Sequence, residues 1–272
     1  MNKKYIVLFV LLLASIFTYS QSVSVSPSRF YYNVSPGNYK SQKLRVTNNG
    51  KKPQTFTVNF SDFVSNGSSG KTSIDTSSTH EHGMSEWLSA SPSFFELQPG
   101  ESQEIEILLQ VPNLPEANTV RWSVAMVKLA KERTGSIEKG ENVTGMAIIP
   151  TFAFLIHLFQ TPPNVTYKEV IVERFFEDTL NNNDSVRYVI MDTKNIGDAI
   201  ADCVPYLDMV NLKNGEKRKV KTKGYTILPG GVRKIKFRIP SDLSKGEYNI
   251  LGIVDYGSET DIAAMELNIK VE

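Results

Sequence analysis

The chain has 272 residues, a formal net charge of +1 and a single cysteine, Cys203. The near balance of charge argues against a basic surface built for nucleic acid or anionic membrane, and one cysteine excludes an internal disulfide. At this length one large or two ordinary domains are expected.

In chain order, Asn2, Lys3 and Lys4 precede an apolar run over residues 6–17, closed by Thr18, Tyr19, Ser20 and Gln21. This is the layout of a cleavable secretory signal over residues 1–21, so the mature chain is expected to be exported to a periplasm, an outer surface or the medium. The run is short for a stable membrane span, no later segment supplies one, and no cysteine near the cleavage region offers a lipid anchor.

Residues 22–111 alternate in short segments separated by turn chemistry, the rhythm of a β-sandwich. Val23, Val25 and residues 29–32 form a first strand, bent at Pro27. Residues 42–47 form a strand ending in Asn48-Asn49-Gly50, a hairpin signal. Residues 54–63 follow, with Phe56, Val58 and Phe60 on one face. Residues 64–86 are rich in Ser, Thr, Gly and Asn and read as a mobile loop or a weakly paired edge. Phe94, Phe95 and Leu97 lead into a turn at Pro99-Gly100, and Ile105, Ile107 and Leu109 alternate beyond it. Residues 119–129 carry Val120, Trp122, Val124 and Met126 on one face, and a charged loop over 128–144 precedes the longest internal apolar run.

That run, residues 145–163, is too short to cross a bilayer and reads as a long strand from its β-branched and aromatic content. One face carries Met146, Ile148, Phe152, Phe154 and Ile156; the other carries Ile149, Thr151, Ala153, Leu155 and His157. With both faces largely apolar, it needs cover from its own domain and from something else.

Pro162-Pro163 marks the expected domain boundary, since a proline pair cannot continue a sheet interior. Beyond it the pattern restarts at residues 167–175, 186–193, 204–212, 217–222, 232–239, 247–256 and 262–271. Both halves share a strand closing on an asparagine turn (Asn48-Asn49-Gly50; Asn195-Ile196-Gly197) and a Pro-Gly turn opening a later strand (Pro99-Gly100; Pro229-Gly230). The expected fold is all-β: a signal peptide (1–21) and two tandem immunoglobulin-like sandwiches (22–162 and 163–272).

Catalytic chemistry is hard to find. His80 and His82 have the alternate spacing of metal ligands, with Glu86 nearby, but their Ser/Thr/Gly flanks read as a solvated loop. No phosphate-binding loop or nucleophile elbow occurs. The Lys/Arg cluster of residues 213–236 reads as the solvated face of a strand pair. Cys203 reads as a buried, inert thiol. A non-enzymatic protein without cofactor or metal is expected.

Three segments resemble the PapD-like periplasmic chaperones of pilus assembly: Val25-Ser-Pro-Ser-Arg29-Phe-Tyr-Tyr, Leu88-Ser-Ala-Ser-Pro-Ser-Phe-Phe-Glu-Leu-Gln-Pro-Gly-Glu101, and Leu155-Ile-His-Leu-Phe-Gln-Thr-Pro162. The resemblance covers residues 22–162. It implies a chaperone that caps pilin-like fimbrial subunits by lending them a strand, with backbone pairing supplying affinity and side-chain pockets supplying selectivity. The donated face it implies is Met146, Ile148, Phe152 and Phe154, continuing to Ile156. It also implies that Arg29 and His157 anchor the subunit's terminal carboxylate, and that an outer-membrane usher is a further partner. The chain departs from the pattern at His157, where lysine is usual, and at Pro150, which removes a ladder donor from the donor face. The long loop before the strand lacks the cysteine pair of one subfamily, and residues 163–272 match a generic bacterial immunoglobulin-like module better. Two other readings stay open. One is a structural or adhesive surface protein, which the tandem plan and the segment from Pro36-Gly37 to Asn49-Gly50 also resemble through the WxL-type peptidoglycan-binding proteins. The other is an accessory subunit of an export or gliding apparatus.

Overall fold

The computed structural model describes residues 23–75, 81–130, 152–179 and 186–272. The signal segment, His80, Met146, Ile148 and Pro150 therefore lie outside the described residues.

Before residue 162 the chain builds two sheets. One contains β1 (Val23–Ser26), β3 (Tyr39–Asn48), β9 (Ser102–Gln110) and β7 (Leu88–Ser91), in that order. The other runs β2 (Arg29–Tyr32), β11 (Ala153–Gln160), β10 (Arg121–Ala130), β4 (Gln54–Ser61) and β8 (Phe94–Leu97). Period-two alternation sends Leu44, Val46, Ile105, Ile107 and Leu109 inward from the first sheet to meet Phe56, Val58, Ala125, Val127 and Leu158 from the second. The first strand expected from the sequence is two strands in different sheets. Pro27 separates β1 from β2, and Pro92 separates β7 from β8 in the same way, since a proline has no amide to continue the ladder.

The hairpin expected at Asn48-Asn49-Gly50 does not form. β3 pairs with β1 and β9, whereas β4 pairs with β10 and β8, so the chain crosses between sheets at this point. The fully buried Asn48 makes the crossing. Its Nδ2 donates to the carbonyls of Lys52 (2.8 Å) and Leu97 (2.9 Å), and its Oδ1 accepts the Gly50 amide (2.9 Å). Its backbone closes onto the Pro99-Gly100 turn, with Gly100 N donating to Asn48 O at 2.8 Å.

After residue 162 the same construction recurs. β12 (Val170–Glu177), β13 (Tyr188–Asn195) and β17 (Val232–Arg238) form one sheet; β15 (Lys217–Lys221), β14 (Ala201–Asn211), β18 (Gly246–Asp255) and β19 (Ala263–Val271) form the other, and β16 (Tyr225–Ile227) adds to β14. Buried Asn195 takes the role of Asn48: Nδ2 donates to Ala199 O (2.9 Å) and Ile227 O (3.1 Å), Oδ1 accepts Gly197 N (2.9 Å), and Gly230 N donates to Asn195 O (3.0 Å). The shared asparagine and Pro-Gly pattern in the sequence is thus one hydrogen-bonded corner used twice.

The Lys/Arg cluster is not one strand pair, because β15 and β17 lie in different sheets. Much of its charge is paired locally: Lys219 with Asp208, Lys236 with Asp178, and Arg218 with Glu216 and Asp242. Cys203 is buried in the second core, and burial pushes its thiol up to about 12. Because the thiolate is the reactive form, the native protein is expected to be inert to a colorimetric thiol reagent at pH 8 and to release one equivalent only on denaturation.

The polar stretch after residue 63 is ordered where it is described. β5 (Phe63–Asn66) and β6 (Lys71–Ile74) form a two-stranded ribbon separate from both main sheets. Composition alone suggested a mobile loop or a weakly paired edge because the ribbon's support is external: its turn leans on β17 of the second domain. Between the domains lies a third apolar cluster, with Phe63, Val120, Trp122, Val124 and Phe159 from the first and Ile200 and Leu228 from the second. The face carrying Val120, Trp122 and Val124 is therefore the domain interface. No helix among the described residues is long and apolar enough to cross a membrane.

Candidate functional site

β11 is paired unequally along its two edges. β10 accompanies all eight of its residues, whereas the parallel strand β2 accompanies only His157 to Gln160. Among the described residues, no strand lies beside residues 153–156 on the β2 side. His157 N donates to Ser28 O at 3.1 Å, so its backbone faces β2. By strand alternation, the backbone groups of Ala153 and Leu155 point into the open lane that continues the line of β2. Unpaired edges of this kind are templates for another chain.

The side chains grade from exposed to buried along the same strand. Phe152 is 68% exposed, Phe154 is half-buried against the first core, and Ile156 is 1% exposed within it. Ile156 is thus a core residue and drops out of the donated face expected from the sequence, since lending it would open the sandwich. On the opposite face Leu155 is exposed, while His157 and Phe159 turn toward the second domain. The second apolar face is covered by the chain's own second domain from His157 onward.

Where the open lane stops, β2 begins with Arg29, directly beside His157 in the parallel register. Both line a cleft of about 260 Å3 between the domains, walled by Phe63, Phe159 and Leu228 and by the β5–β6 ribbon. Arg29 is half-exposed; its Nη1 donates to Thr226 Oγ1 at 2.9 Å. Thr226 in turn donates to Asp202 Oδ1 at 2.6 Å, which also accepts the Tyr31 hydroxyl at 3.2 Å and stands 3.9 Å from Arg29.

Burial, then the neighbouring Arg29 charge, hold the His157 imidazole below the ordinary histidine range, which disfavours the charged form expected of a carboxylate anchor. Its Nε2 is 2.9 Å from Thr72 Oγ1 on the ribbon, and its ring meets Phe63 edge-on. A histidine with a depressed folded pKa adds stability that is complete above its unfolded value, about 6.5, and is lost as pH falls toward the folded value. Thermal unfolding midpoints of the wild type are therefore expected to drop between pH 7 and pH 5 more steeply than those of His157→Gln.

His82, the other described histidine, donates from Nδ1 to Val120 O (2.9 Å) and stacks on Trp122 with ring centroids 4.3 Å apart. Its ring helps to close the interface, and no group of three potential metal ligands occurs among the described residues.

The cleft contains a residue the sequence reading passed over. Arg233, grouped there with solvated lysines, turns inward and donates to Ser65 Oγ (3.0 Å), Thr226 O (2.9 Å) and Gly70 O (3.4 Å). A signal was available: Arg233 has the parity of buried Ile235 and Phe237 on β17, whereas Lys234, Lys236 and Arg238 have the outward parity.

No family model matches the chain, and no curated protein matches it. Among solved structures, it is similar to the E. coli chaperone DraB (15% identity over 90% of this chain and 98% of that one, TM-score 0.45). It is also similar to a chain in the Salmonella enterica SafA pilin complex with the SafB chaperone (13%, 92% and 98%, 0.44). A third is from a chaperone–tip adhesin complex of CFA/I fimbriae biogenesis (13%, 91% and 98%, 0.46). At these identities the likeness is one of fold alone, and the two tandem β-sandwiches stand on the sheet topology of the chain itself.

Proposed function

We propose that the protein is an exported, non-enzymatic chaperone that captures a pilin-like β-sandwich subunit by strand addition to β11. The observation that carries this reading is the lane beside residues 153–156, which no strand among the described residues fills and which ends at Arg29. A partner strand laid in that lane parallel to β11, as β2 already is, runs its C-terminus into Arg29. Backbone pairing to Ala153 and Leu155 holds it, Phe152 and Phe154 fill the partner's apolar groove, and the guanidinium grips the terminal carboxylate. In its cell the site of action is the periplasm, with an outer-membrane usher as the receiver of the subunit.

The test is to express the chain with its genomic neighbours, purify it, and identify what comes with it by mass spectrometry. A small β-rich protein is expected. Arg29→Ala is expected to weaken its capture by about 30- to 100-fold, the loss of a charge-assisted carboxylate contact. The melting temperature should barely move, because Arg29 is half-exposed. Retention on envelope material with no β-rich partner would instead favour a structural or adhesive surface protein.

A further inference from the structure

We infer that the open edge of β17 is a docking edge for an extended acidic segment of a partner protein, laid against a cationic flank of the second domain.

The chain segregates its charge. Residues 213–238 hold ten lysines and arginines against one acid, Glu216, in a sequence that totals 30 against 29. The fold gathers that segment on one side. β12 packs beside β19 at one end of each sheet, so β17 and β15, at the opposite ends, share the other flank. Local pairing leaves much of the charge over: among the described residues, Lys213, Lys217, Lys221, Lys223, Lys234 and Arg238 form no ion pair. The acids beside the outer face of β17, Asp178 and Asp192, are buried and already engaged by Lys236 and Arg174. Like charges crowded in this way repel one another, and an anionic partner relieves the repulsion.

β17 is also an unfinished ladder. Asn195 N donates to Gly231 O (3.0 Å) and Ile239 N to Arg187 O (2.9 Å), so the odd-numbered residues of the strand turn their backbone groups toward β13. The backbone groups of Lys234, Lys236 and Arg238 point the other way, where no strand lies among the described residues. The ribbon turn meets β17 at Arg233, near its start, and the three residues beyond it are exposed. Their side chains stand at alternate positions on the outer face, about 7 Å apart.

Lysines on an edge strand ordinarily guard it against stray pairing. Here the guard is selective. A neutral or basic strand laid on β17 would strip these charges of water, whereas a strand with an acid at every second residue meets them in cross-strand pairs. A phosphate-bearing lipid surface fits less well. It offers no backbone to the ladder, and Ile235 and Phe237, the apolar side chains of the strand, face the core and not the solvent.

The experiment titrates the isotope-labelled mature protein with acetyl-Glu-Val-Glu-Val-Glu-Val-Glu-amide and with its isomer acetyl-Glu-Glu-Glu-Glu-Val-Val-Val-amide, followed by NMR. Neither peptide has a terminal carboxylate, so binding is read apart from capture at β11 and Arg29. The backbone amides of Lys234, Lys236 and Arg238 are expected to shift and to gain protection from hydrogen exchange, with the alternating peptide about tenfold tighter than its isomer. Raising salt from about 50 to about 300 mM should weaken it severalfold. Lys234→Glu combined with Arg238→Glu should weaken it about tenfold or more, with near-ultraviolet circular dichroism confirming the fold. Equal affinity for the two peptides would overturn the strand geometry and reduce the flank to a diffuse polyanion surface. Shifts confined to residues 153–156, or none up to about 5 mM peptide, would overturn the site itself. Binding to phosphatidylglycerol vesicles that the charge reversal abolishes, with no peptide bound, would assign the flank to a lipid surface instead. Each of these outcomes leaves capture at β11 standing, since that is read by co-purification of the subunit.

Discussion

Phe152→Asp is expected to abolish partner capture and leave the fold untouched, while Ile156→Asp, four residues on and of the same parity, is expected to unfold the first domain. Phe152 is 68% exposed and makes no part of either core, so its replacement should change stability by no more than about 0.5 kcal/mol. In a complex, the same position would bury an aromatic anchor in the partner's groove. Removing such an anchor costs about 2 kcal/mol or more, and a carboxylate left desolvated there adds to it. Together they amount to a loss of roughly a hundredfold or greater in affinity. Ile156 is 1% exposed, and a charge placed there has no partner. Co-purification of the subunit together with a thermal melt reads both effects. A Phe152→Asp protein that still brings its partner down would remove β11 as the donated strand.

Asn48→Ala and Asn195→Ala are expected to be the most damaging substitutions that leave every apolar contact in place. Each asparagine holds two backbone carbonyls and one amide at a corner where the chain passes from sheet to sheet. Truncation leaves these buried groups without partners, at about 1 to 3 kcal/mol for each group that water cannot reach. A total loss of about 2 to 4 kcal/mol is expected for either variant. Both tryptophans, Trp87 and Trp122, lie in the first domain. Asn48→Ala should therefore lower the urea midpoint of the tryptophan fluorescence transition with an unchanged slope. Asn195→Ala should lower the midpoint seen by far-ultraviolet circular dichroism. A shift smaller than about 0.5 kcal/mol in both would mean that the corners are held by their backbone bonds alone.

Much of the architecture was legible because period-two alternation is a local property. The seven segments expected after residue 162 correspond closely to β12, β13, β14, β15, β17, β18 and β19, and among the described residues only the three-residue β16 was passed over. The asparagine and Pro-Gly recurrence was also visible, but its meaning was not. An Asn-Asn-Gly signal specifies a local bend, and whether the next strand returns alongside or crosses to the facing sheet depends on the partners that wait there. β3 is already flanked by β1 and β9, so β4 crosses.

At the candidate site, the apolar strand could be picked out from residue types, whereas Arg29 was named only through the resemblance. The adjacency of Arg29 to His157 is a parallel pairing between segments more than a hundred residues apart, which no local pattern encodes. The charge state of His157 likewise follows from burial and from Arg29 beside it.

By itself the sequence determined that this is an all-β chain of two repeated sandwiches with one strand too apolar for its own core, because alternation and turn chemistry act over a few residues. Only the tertiary structure decided which parts of that strand are covered. The second domain closes its far end, β2 begins only beside His157, and Arg233 turns into the cleft, because burial and edge pairing are set by segments distant in the chain.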